Sequence, residues 1–256
     1  MALTMLTGKE VFVTAGSTRA YLDAVRFISN RSSGRLGSEI ACECLRRGAY
    51  VTFFHGEGAM TPLLLAQLGE AELSEEERSR LERIEIETIP QLAGAIEREL
   101  KDGYYDVAIH AMAVLDFVPD VASVFSGKTK SDQEVWEIKL VRTPKVIDMI
   151  KKISPDTKLV GFKLEADVSP EKLQESAHRL MEQSGAEIVV ANDLARIKEG
   201  TYKAILIERR SKSGQFTSTE IEGRAATARL LCDRLEQLLK TDSLRSPDEG
   251  QGVSEE

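Results

Sequence analysis

A three-layer α/β sandwich with a mainly parallel, Rossmann-like sheet is the fold class that three features of this sequence predict. Short apolar, β-prone runs recur between amphipathic stretches of helical period. The run Asp106–Met112 is almost uncharged along its length, as a strand covered on both faces must be. The first run, Val11–Thr14, ends in Ala15-Gly16-Ser17, the strand-to-turn step that opens a βα unit. Such alternation puts helices on both faces of a parallel sheet. Right-handed crossovers then gather the loops after the strands on one rim, where ligands bind.

Taken in order, a polar loop through Asn30 and Ser33 leads into the amphipathic run Leu36–Arg47, which Gly48 closes as a C-cap. Tyr50–Phe54 reads as a second buried strand. Residues 63–83, rich in Leu, Glu and Arg, read as a solvated helical insertion. Ile84–Thr88 is a strand, Gln91–Lys101 a helix and Asp106–Met112 a strand. Residues 123–133 are polar and predict a mobile loop. Glu134–Val141, with Val135, Trp136, Ile138 and Leu140, predicts an exposed edge strand. A helix is expected from Pro144, then strand Lys158–Phe162, helix Pro170–Ser184, strand Glu187–Ala191, a hairpin turning at Ser213-Gly214, and a closing helix Arg224–Leu239. Residues 1–240 thus form one domain, and 241–256 a disordered, acidic tail.

Composition narrows the function classes. The chain has 256 residues and a net charge of −8, which argues against a general nucleic-acid binder but leaves room for a local basic pocket. Cys42, Cys44 and Cys232 lack metal-ligand spacing and fit small packing residues in a reducing compartment. Cys42 and Cys44, two apart on a helix, should point to different faces. The N-terminus lacks a signal-peptide pattern, and no stretch approaches the roughly 20 apolar residues of a membrane span. A cytoplasmic protein with no membrane partner is expected.

Between the first strand and its helix lie Thr14-Ala-Gly-Ser-Thr-Arg19 and Ser32-Ser-Gly-Arg-Leu-Gly37. Gly16, Ser17, Ser33 and Gly34 there offer free N–H groups and a helix N-terminus, which favour phosphate or carboxylate. The spacing is not the dinucleotide fingerprint, and the second strand ends Phe54-His55 with no carboxylate to hold a ribose. A nicotinamide dehydrogenase is disfavoured, and the P-loop signature is absent.

The stretch Val13–Arg19, Asp23, Val25–Asn30, Ser32–Gly34 and Leu36-Gly37 resembles the opening motif of phosphopantothenate–cysteine ligases. His110-Ala-Met-Ala-Val-Leu-Asp-Phe117, Lys128-Thr-Lys130, Thr143-Pro-Lys-Val146, Leu159-Val-Gly-Phe162 and Val190-Ala-Asn-Asp-Leu194 resemble later motifs of that family, in order. The resemblance implies a two-step ligation in coenzyme A biosynthesis. A nucleoside triphosphate, CTP favoured over ATP, activates the carboxylate of 4′-phosphopantothenate as an acyl-nucleotide, and the amine of L-cysteine displaces the nucleotide. Magnesium is implied as cofactor and no flavin; a homodimer is implied, with Trp136's strand as candidate arm. The alternative is a non-catalytic nucleotide-binding relative of the same fold.

Residue roles carried by the resemblance follow. Asn30 matches the asparagine that hydrogen-bonds the reacting acyl group, and its amide adds no charge. Arg26 is placed to pair with a substrate phosphate or carboxylate. Asp116 matches the aspartate directed at nucleotide and magnesium, and Ala111, Met112 and Ala113 form the strand end before it. Lys128, with Lys130 as nearby substitute, matches a catalytic loop lysine. Pro144, Lys145, Val146, Ile147 and Phe162 match the nucleotide pocket. The family's two triphosphate lysines are missing from Ser176–Ser184; Arg179, His178 or Lys172 are the possible replacements.

Overall fold

The computed structural model describes residues 4–120, 124, 127–130, 132, 134–197, 202–209 and 215–243. Its strands are β1 (Glu10–Ala15), β2 (Arg19–Tyr21), β3 (Phe27–Ser29), β4 (Tyr50–Gly56), β5 (Leu81–Ile86), β6 (Val107–His110), β7 (Phe117–Pro119), β8 (Leu140–Arg142), β9 (Lys158–Glu165), β10 (Ile188–Asp193), β11 (Lys203–Arg209) and β12 (Phe216–Glu222). The helices are α1 (Arg35–Arg46), α2 (Pro62–Gln67), α3 (Glu75–Ser79), α4 (Ile89–Asp102), α5 (Ile147–Ile153), α6 (Pro170–Ser184) and α7 (Arg224–Ser243).

Eight strands form one sheet in the order β12-β11-β10-β9-β6-β1-β4-β5. From β5 to β10 every pairing is parallel, while β11 and β12 add an antiparallel hairpin at one edge. The parallel part is doubly wound, and its order reverses between β1 and β6, which opens a crevice beyond the carboxyl ends of those strands. One core packs α1 and α7 against the sheet, with Ile40, Leu45, Phe53, Leu231 and Leu235 fully buried. The other packs α4, α5 and α6 on the opposite face, around Phe12, Phe54, Ile96, Ile150 and Leu159. The predicted sandwich is therefore the observed architecture.

Local chemistry sets the ends of the helices. Thr88 accepts from the Gln91 backbone N–H while the Gln91 side chain accepts from the Thr88 N–H, so a capping box starts α4. Ser169 caps α6, and Gly185, in the left-handed region, ends it.

Several expectations are corrected. β5 begins at Leu81, inside the expected insertion, because Leu81 pairs with Val51 of β4. The insertion itself splits into α2 and α3, and no α3 residue is buried. Cys42 and Cys44, by contrast, are the packing residues expected. Both are buried, because α1 is covered by the sheet and by α7, whose Cys232 thiol lies 3.7 Å from that of Cys44. The expected Glu134–Val141 strand shrinks to Leu140–Arg142, for its partner β7 is only three residues long and ends at Pro119, which has no N–H. Pro144 does not start a helix: Thr143–Lys145 is a loop and α5 begins at Ile147. α7 continues to Ser243, three residues into the expected tail; residues 244–256 and the expected turn at Ser213-Gly214 lie outside the described residues.

Candidate active site

The loop between β1 and α1 is compressed. Gly16 has φ +82, and a Cβ there would lie 2.6 Å from the Ala59 Cβ. Gly34 has φ +73, and its Cβ would lie 3.0 Å from the Gly16 backbone nitrogen. Only glycine satisfies both the left-handed backbone and the close approach. Gly34 is also the N-cap of α1 and has no side chain to cap it, so the helix presents N–H groups to whatever fills the cleft in front.

That cleft, about 1140 Å³, lies across the carboxyl ends of the parallel strands. The sequence-predicted Asn30, Ser33, Gly34, Ala111, Met112, Ala113, Asp116, Pro144, Lys145, Val146, Ile147, Phe162 and Arg179 all line it. These positions span some 150 residues of chain and come together only through the sheet order. Gly16 and Ser17 do not reach the cleft wall. They stand behind it: Gly16 backs Gly34, and the Ser17 hydroxyl accepts from the Ser29 hydroxyl at 2.9 Å.

The Asn30 amide donates to the Val114 carbonyl at 3.1 Å, which leaves its second N–H available. Asp116 is exposed and pairs with the Lys145 ammonium. Its backbone carbonyl accepts from Thr143 N–H at 2.9 Å, and the Thr143 hydroxyl donates to Leu115 O at 2.7 Å, so the two loops are tied together. His110 at the cleft floor sits 3.0 Å from the Thr14 hydroxyl, and burial pushes its pKa down to about 4. It is a neutral ring at neutral pH. Phe162 lines the cleft and also packs on the α1-side core, so it belongs to both.

Three further predicted residues lie off this cleft. Arg26 pairs with the buried Asp23 at 2.7 Å, and its guanidinium lies 5.3 Å from the Trp136 ring. Lys128 and Lys130 are exposed, and neither lines the cleft of its own chain. Their loop is pinned to the β2–β3 turn, with Ala24 N–H donating to Gly127 O and Thr129 N–H to Asp23 Oδ2, both at 3.1 Å. Of the possible phosphate ligands on α6, Arg179 faces the cleft while His178 stacks on Phe216, ring centroids 4.2 Å apart.

Asp116, Asp148 and Glu165 are cleft carboxylates, yet no cluster of three or more metal-ligating side chains exists among the described residues. A hard divalent cation held chiefly by nucleotide phosphates needs only one or two protein carboxylates, and this donor set fits that arrangement.

Residues 6–238 match the family described as the DNA/pantothenate metabolism flavoprotein C-terminal domain. The chain belongs to that family. A relative from Thermococcus kodakarensis, the coenzyme A biosynthesis bifunctional protein CoaBC, is 37% identical over 237 residues, covering 91% of this chain and 52% of the relative. The chain therefore spans about half the length of that relative. A solved DNA/pantothenate metabolism flavoprotein from Streptococcus pneumoniae superposes with a TM-score of 0.76 at 26% identity, over 90% of this chain and all of the other. A Cab2 variant in complex with phosphopantothenate-cysteine superposes at 0.71 over 92% and 89% of the two chains; at 19% identity it shows the shared fold.

Set on this family's fold, the cleft also contains residues that sequence reasoning missed: Gln183, Tyr202 and Arg224. Gln183 stands one helical turn after Arg179, an (i, i+4) spacing that could have found it. Tyr202 and Arg224 carry no such local signal, since the β11–β12 hairpin is what brings them to the α1 side of the sheet.

Proposed function

We propose that the chain joins 4′-phosphopantothenate to L-cysteine through an acyl-nucleotide, in coenzyme A biosynthesis. The observation that carries this reading is the convergence of Asn30, Asp116 and Phe162, far apart in the chain, on one cleft of a family member. Support also comes from the Cab2 complex, whose bound molecule is the product of that ligation.

In the first step a carboxylate oxygen of phosphopantothenate attacks the α-phosphorus of the nucleoside triphosphate, and pyrophosphate leaves. The neutral cysteine amine then adds to the acyl carbon; the nucleoside monophosphate departs and the nitrogen loses a proton. The task of the protein is to hold two anions together and stabilise charge on the acyl oxygen. Asn30 donates its free amide N–H there without adding a charge. The uncapped α1 N-terminus, Ser33 and Arg179 meet phosphates, and the Phe162 ring offers a face to the base. His110, held neutral, keeps the floor free of a titrating charge. Asp116, released from Lys145, would hold Mg²⁺, whose charge would screen the phosphates. None of these roles calls on a flavin. CTP is favoured over ATP on the likeness of Ala191–Leu194 to bacterial single-domain ligases.

The working unit is a homodimer. Tyr21, Val25, Phe27, Phe117, Leu140 and Val141 expose a third or more of their surface on or beside the two outer ribbons, an apolar face that a second copy would cover. The test is incubation with 4′-phosphopantothenate, cysteine, Mg²⁺ and either CTP or ATP. Pyrophosphate release that requires phosphopantothenate, with the cysteine adduct seen by mass, is expected. No release with either nucleotide overturns the reading in favour of a non-catalytic nucleotide-binding relative.

A further inference from the structure

At the end of the cleft bounded by α1 and α7, two side chains have no hydrogen-bond or ion-pair partner among the described residues. Tyr202 is 5% exposed and lines the cleft, and its buried hydroxyl has no hydrogen-bond partner. A buried O–H without a partner carries a desolvation cost that a ligand acceptor would offset. Arg224, the first residue of α7, lies with its guanidinium 5.3 Å from the centre of that same ring. It forms no hydrogen bond or ion pair with another described residue, whereas Arg35, also on the wall, is tied to Glu70. Glu39, one turn along α1 and half-buried, feels the fields of Arg224 and Arg35, but burial outweighs them and raises its pKa. Arg224 is therefore a half-buried cation over an aromatic ring, with no hydrogen bond to another described residue.

The position relative to α1 decides what it would bind. Tyr202 and Arg224 lie on the α1/α7 side of the sheet, and share the cleft with Ser33, Gly34 and the uncapped N-terminus of α1. Asn30 and Asp116, where the acyl transfer is placed, belong to the loops after β3 and β6. Arg179 projects from α6, on the opposite face. An O–H donor, a planar five-donor fork and a row of backbone N–H groups together suit a polyanion with several acceptor oxygens.

We propose that Tyr202 and Arg224, with the N-terminus of α1, form the seat for the terminal phosphates of the nucleoside triphosphate, the part that leaves as pyrophosphate. This rests on the ligase reading and deepens it: the pair distinguishes triphosphate from monophosphate, and holds the leaving group rather than the base or the acyl acceptor. It also supplies cationic contact in a chain whose α6 lacks lysine after Lys172. Tyr202 and Arg224 are binding residues, not participants in bond making.

The test measures binding of CTP, CDP and CMP by calorimetry for the wild type, Arg224→Gln and Tyr202→Phe, beside the kinetics of pyrophosphate release. Arg224→Gln should weaken CTP about tenfold or more, the loss expected for a hydrogen-bonded charge contact. CMP affinity and the KM for phosphopantothenate should stay within about twofold, and Arg224→Lys should recover part of the loss. Tyr202→Phe, which keeps the ring under the guanidinium, should show the same selectivity with a smaller loss. Equal weakening of CTP and CMP, or unchanged CTP binding in both variants, overturns the assignment. A wild type that turns over while the variants bind CTP normally sinks this inference alone; a wild type that binds none of the nucleotides sinks the ligase reading with it.

Discussion

The two flanks of the cleft are built on opposite plans. The inner flank, from β1 through α1 to His110, is dry and compressed. Val11, Phe12, Val13 and Ala15 have no exposed surface, and Gly16 and Gly34 approach neighbouring backbone too closely for any side chain. The outer flank, the β2–β3 and β7–β8 ribbons with the lysine loop, is made of three-residue strands that leave Val25 60% and Phe117 52% exposed. Two-stranded ribbons have little stability of their own. On the proposed reading the inner flank holds the phosphate and acyl groups, while the outer one offers the apolar face that a second copy would cover. Substitutions on the two flanks should therefore fail in different ways: loss of folding or chemistry on the inner side, loss of assembly on the outer.

The largest effect is expected at Gly16. Gly16→Val sets a β-branched side chain in a left-handed backbone and drives its Cβ into Ala59 and the Gly56 nitrogen. A loss of about 4 kcal/mol or more is expected, a fall of roughly 10 °C in thermal midpoint for a domain of this size. Gly58→Ala is the control, with φ +71 but open space around its Cβ. It should lose only about 1 kcal/mol. Equal losses at both positions would remove compression as the distinguishing property of the inner flank.

Next comes Asn30→Asp, an inner-flank change aimed at chemistry rather than packing. A carboxylate there faces the Val114 carbonyl and replaces a donor with a negative charge. Pyrophosphate release should fall about 100-fold or more, the scale of losing one donor to a developing oxyanion, with the thermal midpoint nearly unchanged. Near-normal release would take Asn30 out of the mechanism.

His110 gives a smaller and pH-dependent effect. Its ring is buried and its folded pKa is about 4 against an ordinary value of 6.5. Between those values the unfolded chain takes up a proton that the folded one refuses, so stability falls as pH drops from about 6.5 to 4 and is unaffected above. The contribution is on the order of 3 kcal/mol at pH 4. Comparing urea midpoints of wild type and His110→Gln across this range checks it. The two curves should converge towards acid pH, and parallel curves would mean that His110 is not the titrating group.

The same contrast explains what was legible in the sequence. The inner flank is written locally: apolar runs, capping residues and glycines at forced turns give β1, α1, β4, α4 and α6 close to their observed limits. The motif residues of the cleft wall lie just before α1, after β6, around the start of α5, on β9 and on α6. The outer flank is not local. The alternation around Trp136 suggests a strand, but a strand needs a partner, and Pro119 ends the available one after three residues. Arg26 looks like a substrate ligand by its motif, yet Asp23, three residues before it in the same turn, and Trp136 occupy it, and no spacing rule announces Trp136. Tyr202 and Arg224 were equally hidden, because an antiparallel hairpin, not helical periodicity, brings them to the cleft.

The outer flank supplies the smallest effect and the sharpest comparison. Phe117→Ser removes a half-exposed ring from the apolar face and should leave the fold intact, since that ring is not part of either core. The dimer should weaken about tenfold, for roughly 1.4 kcal/mol lost with one interface ring, as read by sedimentation at micromolar concentrations. Lys128 and Lys130 belong to the same flank and stay off the cleft of their own chain. If they serve the cleft of the second copy, the specific activity of Phe117→Ser must rise with protein concentration, as dimer re-forms. Asn30→Asp must stay impaired at every concentration. Lys128→Gln mixed with Asn30→Asp should then recover activity that neither has alone, because one of the two clefts in a mixed dimer keeps both intact residues. Recovery with Lys130→Gln instead would move the catalytic role two residues along the loop, and concentration-independent activity in Phe117→Ser would leave the outer flank without a part in the chemistry.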